Sequence, residues 1–186
     1  MKSPSIIVLT GPSGAGKSTV AKALLERHPA GLIRFITTTT RPTRPGEKNG
    51  EAYHFTSRKY FEKGVKAERF FEWASAYNEL YGSDKQELER LRKQEKPILI
   101  VLNTEGAQTI KSLVPETNII FIDAPEAELE KRLRARAGRD NELELRIQTM
   151  TEERAFRDQA DFVVINHADE LEQTIQQVEA IIKTLE

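Results

Sequence analysis

Apolar residues along the chain fall into two kinds of run. Short and nearly continuous runs occupy 5–10, 98–102, 118–122 and 162–166, and they predict strands that are buried on both faces of a parallel sheet. Between them, apolar residues recur at helical spacing, which predicts helices over 19–27, 107–113, 126–136, 142–157 and from Leu171 to the end. Strands that alternate with helices indicate the α/β class, with a parallel sheet flanked by helices.

The middle of the chain follows a different pattern. Residues 32–37 alternate as a strand would, and 37–50 have no periodicity and predict a loop. The remaining elements that we expect are a strand at 53–55, a helix at 58–63 closed by Gly64, an extended aromatic segment at 70–77, a turn at 78–83, and a helix that Ser83 opens and that runs to about Gln94. We interpret 34–96 as a small mixed α/β lobe inserted into a core formed by 1–33 and 97–186.

A glycine-rich loop follows the first predicted strand. Its sequence, GPSGAGKST, satisfies G-x-x-x-x-G-K-[ST] between a strand and a helix. Glycines allow the backbone N–H groups to turn inward around phosphate, and a lysine and a hydroxyl at these positions reach the phosphates and Mg²⁺. We therefore expect a nucleoside triphosphate and Mg²⁺ to bind here, with Ser18 as the metal ligand. The predicted loop residues are Gly11, Pro12, Ser13, Gly14, Ala15, Gly16, Lys17, Ser18 and Thr19.

Composition narrows the class of partner. The formal net charge is −1 with 31% charged residues, and there is no cysteine. This balance gives no reason to expect binding to nucleic acid or to a membrane. The first apolar run is too short for a signal peptide, and no run is long enough to span a bilayer. We expect a cytoplasmic enzyme that acts on small molecules, with a homodimer left open.

Two groups of arginines are candidates for phosphate binding. Arg41 and Arg44 lie in the loop 37–50, and five more lie around the break at 137–141: Arg132, Arg134, Arg136, Arg139 and Arg146. Guanidinium groups bind phosphate in a bidentate manner, so the second group predicts a helical lid at about 130–146. Glutamates interleave with these arginines at i,i+4, so a charged helix surface is the alternative.

Beyond the loop, the chain resembles the guanylate kinase family. TTTTRPTRPGEKNGEAYHF, FFEWA and YGS follow GPSGAGKST in that order, and RLRARAG and VVIN come later, so the resemblance covers essentially the whole chain. It implies a P-loop NTPase-type sheet and transfer of the ATP γ-phosphate to GMP or dGMP with Mg²⁺. Two alternatives remain open: a P-loop kinase for another phosphorylated acceptor, such as a ribose bisphosphate, and a non-catalytic guanylate-kinase-like binding module.

The resemblance also implies roles for individual residues. Arg41, Arg44, Tyr53 and Tyr81 match residues that hold the GMP phosphate. Glu72 matches the carboxylate that accepts the guanine N1 and N2 hydrogens, with the hydroxyls of Thr37 and Ser83 beside the base. Arg136 and Arg146 match lid arginines at the transferring phosphate. The predicted catalytic residues are thus Lys17, Arg41, Arg136 and Arg146, and the predicted acceptor site also includes Glu47 and Asn103.

One short segment departs from the family pattern. The family usually has an acidic-x-Asp pair after the buried strand, whereas this chain has Val101-Leu102-Asn103. Asn103 still accepts and donates hydrogen bonds but brings no charge. Glu105, two residues later, is a candidate to replace that charge. The phosphate-binding residues are unaffected by this change.

Overall fold

The computed structural model describes residues 4–76, 78–136 and 140–185, and the side chains of 76, 136 and 140–146 lie outside the described set. In chain order, the elements are β1 (Ile6–Thr10), α1 (Lys17–Arg27), β2 (Ile33–Arg34), β3 (Thr38–Thr39), β4 (His54–Phe55), α2 (Arg58–Lys66), β5 (Phe70–Ala76), β6 (Glu79–Asp84), α3 (Lys85–Arg92), β7 (Ile98–Val101), α4 (Thr104–Leu113), β8 (Asn118–Asp123), α5 (Glu126–Arg136), α6 (Asp140–Ala155), a 3₁₀ turn (Phe156–Gln159), β9 (Phe162–Ile165) and α7 (Leu171–Thr184).

The larger sheet is parallel and carries the core of the fold. Its five strands have the order β2-β7-β1-β8-β9. Val8 on the central strand lies beside Ile100 and Ile119 on its two neighbours, and all three side chains are fully buried. Helices cover both faces, and two separate apolar clusters lie on either side of β1. The α/β prediction, with a parallel sheet flanked by helices, is confirmed.

The smaller sheet is mixed and has its own apolar core. Its order is β4-β3-β6-β5, with β5 and β6 antiparallel and β3 and β4 parallel. Phe61 of α2 stacks on Phe70 of β5 at 4.5 Å between ring centroids. Gly82 lies beneath this pair, where an added Cβ would approach Phe61 to 2.8 Å. The chain passes from one sheet to the other between β2 and β3, so the strand predicted over 32–37 is confirmed only at Ile33–Arg34.

Three further predictions in the smaller sheet were wrong for local reasons. Residues 78–83 form most of a strand, because the reversal is confined to the start of this segment, where Asn78 has a φ of 61°. Gly64 lies inside α2, where its missing side chain makes room for Phe70. Asp84 caps α3 instead of Ser83, and its side chain accepts a hydrogen bond from the Gln86 N–H.

The last elements match their predictions closely. The helix predicted from 107 begins earlier, at Thr104, because Asn103 caps it. The predicted lid falls on α5, on α6 and on 137–139, which lie outside the described residues. Within the part of the chain that the structure describes, no helix combines the length and apolar character needed to cross a membrane.

Candidate active site

The phosphate loop joins β1 to α1, and its shape depends on three glycines. Gly11, Gly14 and Gly16 have φ values of 134°, 91° and 99°, a region that favours glycine. At Gly11, an added Cβ would lie 2.0 Å from the Ile122 carbonyl oxygen, so only glycine fits against β8. The loop ends at the N-terminus of α1, where the helix dipole favours an anion.

Side chains from three elements hold the loop in this shape. The Lys17 Nζ donates to the carbonyls of Gly11 and Pro12 at 2.6 and 2.9 Å. The buried Asn166 donates through Nδ2 to the Ala15 carbonyl at 2.7 Å. Arg132 donates to the Gly14 carbonyl at 3.3 Å and to the Asn166 carbonyl at 3.1 Å. Arg132, which the sequence analysis predicted as a lid residue, therefore contacts the backbone of the phosphate loop.

The sequence analysis did not identify Asn166 or Glu153 as site residues. Asn166 follows β9, and a polar residue at the carboxyl end of a buried parallel strand was the available signal. Glu153 lies on α6 and accepts a hydrogen bond from the Ser13 N–H at 2.9 Å. Its helical position resembles that of any surface glutamate, so no sequence signal distinguished it.

Arg41 is held in place by contacts with its own loop and with two aromatic rings. Its side chain is 10% exposed, and the guanidinium lies 5.3 Å from the ring centroid of Tyr53 and 5.6 Å from that of Phe55. Glu47 accepts from Arg41 Nη2 at 2.8 and 3.0 Å and from the Arg44 N–H at 2.8 Å. Burial acts to raise the pKa of Glu47, but these hydrogen bonds outweigh it and lower the pKa.

Glu72 is a buried carboxylate in the wall of the same cleft. It is 4% exposed, and Ser83, its register partner on β6, donates to Oε1 at 2.5 Å. Its strand neighbour Trp73 is 49% exposed, so the two side chains lie on opposite faces of β5. Burial raises the pKa of Glu72 to about 7, although the Ser83 hydrogen bond acts in the opposite direction.

Asn103 lies close to Glu72 across the cleft wall. Its Oδ1 accepts from the Gly106 N–H at 2.9 Å and so caps α4. A Cβ built on Gly106 would lie 3.0 Å from Asn103 Oδ1 and 3.1 Å from Glu72 Oε2. The two side-chain oxygens therefore converge on the same backbone segment. The structure assigns the Asn103 oxygen to the helix, which leaves its amide nitrogen as the donor group.

One cleft brings most of the predicted site residues together. Its lining consists of Ser13, Gly14, Gly16, Lys17, Ser18, Thr19, Thr37, Arg41, Arg44, Glu47, Tyr53, Glu72, Tyr81, Val101, Leu102, Asn103 and Glu153. Gly11, Pro12, Ala15 and Ser83 are predicted site residues outside this lining. The side chains of Arg136 and Arg146 lie outside the described residues. The arrangement places an anion-binding loop, a buried guanidinium and a buried carboxylate around one space.

Comparison with known proteins gives a consistent result. A family model described as guanylate kinase matches residues 3–185. Among similar proteins, the guanylate kinase of Rickettsia bellii is 41% identical over 180 residues, covering 95% of this chain and 92% of that protein. The guanylate kinase of Trichormus variabilis is 39% identical, with coverages of 95% and 88%. The crystal structure of guanylate kinase from Anaplasma phagocytophilum superimposes with a TM-score of 0.80 at 27% identity, covering 98% of this chain and 86% of that one.

Proposed function

The chain belongs to the guanylate kinase family and transfers the γ-phosphate of ATP to GMP, and we propose that the cleft performs this transfer with the residue roles that follow. Phosphoryl transfer needs positioning and positive charge around the moving group more than it needs covalent chemistry. The cleft supplies both, because a phosphate loop and a guanidinium cluster face the same space.

On the donor side, the loop N–H groups bind the ATP phosphates and Lys17 supplies the cation. Lys17 Nζ now contacts two loop carbonyls, so the ammonium is already held at the phosphate-binding surface. The lid arginines Arg136 and Arg146 belong to this proposal as groups that act on the transferring phosphate. A preorganised donor of this kind typically contributes about 10²-fold or more to the rate.

On the acceptor side, Arg41, Arg44, Tyr53 and Tyr81 bind the GMP phosphate. Glu47 holds Arg41 and the Arg44 backbone together, which fixes the cluster and limits the entropy lost on binding. Thr37, Ser83 and Asn103 surround the guanine. In this proposal, Glu72 accepts hydrogen bonds from the guanine N1–H and from one hydrogen of the N2 amino group. Adenine has no hydrogen at N1 and cannot make the first of these bonds.

The donor set fits magnesium as the cation that accompanies ATP. Mg²⁺ keeps several waters and usually binds one or two protein groups together with substrate phosphates. The Ser18 hydroxyl lies exposed in the cleft beside Lys17, which suits one such contact. Among the described residues, no group of three or more Asp, Glu or His side chains forms a separate metal cage. When bound, the ion neutralises phosphate charge.

The proposal also covers the setting of the reaction. It places the enzyme in the cytoplasm, acting on ATP and GMP without a nucleic-acid or membrane partner, and it leaves a homodimer open. The absence of a membrane-crossing helix in the described part of the chain is compatible with this location.

The single observation that carries these roles is the buried Glu72 in the same cleft as the phosphate loop. The test is ADP release measured with GMP, dGMP, AMP, UMP and CMP as acceptors, for the wild type and for Glu72→Gln. We expect the wild type to prefer GMP, and Glu72→Gln to lose about 10²-fold with GMP, the scale of two charge-assisted hydrogen bonds, while the gap to AMP narrows. Equal turnover of AMP and GMP by the wild type would refute the assignment.

A further inference from the structure

The tip of the phosphate loop needs a hydrogen-bond acceptor from outside the loop. Pro12, Ser13, Gly14 and Ala15 form a β-turn closed by the Ala15 N–H to the Pro12 carbonyl at 3.2 Å. Gly14 occupies the third position with a φ of 91°, as a type II turn requires. The Ser13 N–H, at the second position of the turn, donates to a side chain outside the loop. Glu153 Oε2 accepts it at 2.9 Å.

Glu153 reaches the loop from a helix end that is fixed to the core. The next residue, Arg154, donates through Nε and Nη2 to Asp123 at 3.3 and 3.2 Å, and through Nη1 to Glu126 at 3.2 Å. Asp123 is 1% exposed, and Met150, one turn earlier on α6, is 3% exposed. The last turns of α6 therefore form a rigid support from which one carboxylate contacts the loop.

The same helix carries a residue proposed to act on the transferring phosphate. Arg146 precedes Glu153 by seven residues, which is close to two helical turns, or about 10 Å along the axis. Positions 146 and 153 therefore share one face of α6. Because this end of the helix is fixed to the core, the bond from Ser13 to Glu153 sets the position of the loop tip relative to that face of α6.

We propose that Glu153 is a positioning residue that fixes the tip of the phosphate loop against the face of α6 on which position 146 lies. This inference rests on the proposed function, because it assumes that Arg146 acts on the transferring phosphate. The role requires an acceptor atom at position 153 more than it requires a negative charge. A carboxylate whose only effect was to compete with the ATP phosphates would behave differently.

Three variants separate these possibilities. Glu153→Ala removes the acceptor and keeps a residue that favours the helix. Glu153→Gln keeps an oxygen that can accept the Ser13 N–H. Glu152→Ala changes the neighbouring exposed carboxylate and serves as the matched control. The measurements are kcat and KM for ATP and GMP, direct ATP binding by calorimetry, and the amide resonance of Ser13.

We expect Glu153→Ala to lower kcat roughly 10-fold or more, since small misplacements of reacting groups have effects of up to about 10²-fold. ATP binding should change much less, and the Ser13 amide resonance should move. Glu153→Gln should restore kcat to near the wild-type value, and Glu152→Ala should match the wild type. Tighter ATP binding with unchanged kcat in Glu153→Ala would overturn the proposal, and so would equal losses of kcat in Glu153→Ala and Glu153→Gln.

A double-mutant cycle tests the link to Arg146. If Glu153 acts by holding the loop tip in the position that Arg146 requires, then adding Glu153→Ala to Arg146→Ala should lower kcat little further. Fully additive losses would contradict the positioning role. If the proposed function itself fails, the wild type will not turn over GMP or Arg146→Ala will keep full activity. Either result differs from a failure that is confined to position 153.

Discussion

Glu72 has a pKa close to the pH at which it must carry charge. Burial raises the pKa of this carboxyl to about 7, with Ser83 as the hydrogen-bond donor that opposes the shift. In the proposed complex the ionised form accepts two guanine hydrogens, whereas the protonated form can accept only one well. GMP binding and proton release from Glu72 are therefore linked.

This linkage predicts the pH dependence of the acceptor site. For the wild type, we expect kcat/KM for GMP to rise as the pH increases through about 7, the pKa of Glu72. In Glu72→Gln, that rise should be absent, because the amide does not titrate. The GMP phosphate itself titrates near pH 6 in both proteins, so the ratio of the two profiles isolates Glu72. A constant ratio from pH 6 to 9 would contradict the prediction.

The same pKa shift predicts that the contribution of Glu72 to the stability of the fold decreases as the pH rises. The folded-state pKa of Glu72 is raised from 4.5 to about 7, so the folded state binds this proton more tightly than the unfolded state does. This tighter proton binding stabilises the folded state. Its contribution to the free energy of unfolding is fully present below pH 4.5 and is lost as the pH rises through about 7. The full shift corresponds to about 3 kcal/mol.

We therefore expect Glu72→Gln to raise the free energy of unfolding relative to the wild type at pH 8, and to raise it less at pH 5. Urea unfolding at the two pH values measures this difference. Glu62→Gln, at an exposed carboxylate of α2, is the control and should show no such dependence. An equal effect of Glu72→Gln at both pH values would show that burial does not perturb this group.

At the scale of elements, the sequence pattern predicted the parallel core well and the smaller sheet less well. The runs at 98–102 and 118–122 became β7 and β8, because strands buried on both faces must be continuously apolar. In contrast, Asn78, Gly82 and Ser83 resemble turn residues, yet Gly82 and Ser83 lie in β6. Gly82 is there to accommodate Phe61, and Ser83 donates to Glu72. Such reasons exist only once the tertiary contacts have formed.

For the candidate site too, the sequence predicted some residues and missed others. The phosphate loop was accessible from the sequence through its motif spacing, and Glu72 was accessible through the resemblance to the guanylate kinase family. Asn166, Arg132 and Glu153 act on the loop from elements more than a hundred residues later in the chain. Contacts across that separation depend on how α5, α6 and β9 pack against β1. Local patterning could have pointed to Asn166 as a polar residue at the end of a strand and did mark Arg132 as a candidate, but it does not show which loop atoms these side chains contact.

The cap of α4 gives a prediction at this scale. Asn103→Asp keeps an acceptor for the Gly106 N–H and adds a negative charge that the helix N-terminus favours. It also places a second carboxylate near Glu72 Oε2. A nearby like charge raises the pKa of a carboxyl group, so the pKa of Glu72 should rise. We expect the GMP profile of Asn103→Asp to shift to higher pH, with turnover reduced at pH 7 and equal to or above that of the wild type at pH 9.

Asn103→Ala is the control for the cap alone. It should destabilise the protein by about 1 kcal/mol, the usual effect of losing a helix N-cap, without shifting the pH profile. Thermal unfolding and the two profiles together separate the cap from the charge. An unshifted profile in Asn103→Asp would mean that the two side chains do not interact.

At the scale of the molecule, the site is divided between two sheets. The phosphate loop extends from the parallel sheet, while Arg41, Tyr53, Glu72 and Tyr81 come from the smaller sheet and its connections. In the proposed complex, ATP binds the part formed by the parallel sheet and GMP binds the other part, so both nucleotides together would cross-link the two sheets. An open cleft would also admit water, which competes with GMP for the γ-phosphate, so closure before transfer protects the reaction.

We therefore predict that the smaller sheet moves toward the phosphate loop when both nucleotides are bound. The chain has no cysteine, so Lys59→Cys on α2 and Lys22→Cys on α1, both at exposed positions, can carry a specific pair of distance labels. The distance between the labels should shorten with GMP and a non-hydrolysable ATP analogue together, and less with either alone. A second pair, Lys22→Cys with Lys183→Cys on α7, should keep its distance, because α1 and α7 both pack on the parallel sheet. An unchanged distance for the first pair with both ligands bound would mean that the cleft is already closed and that the chemistry relies on a rigid site.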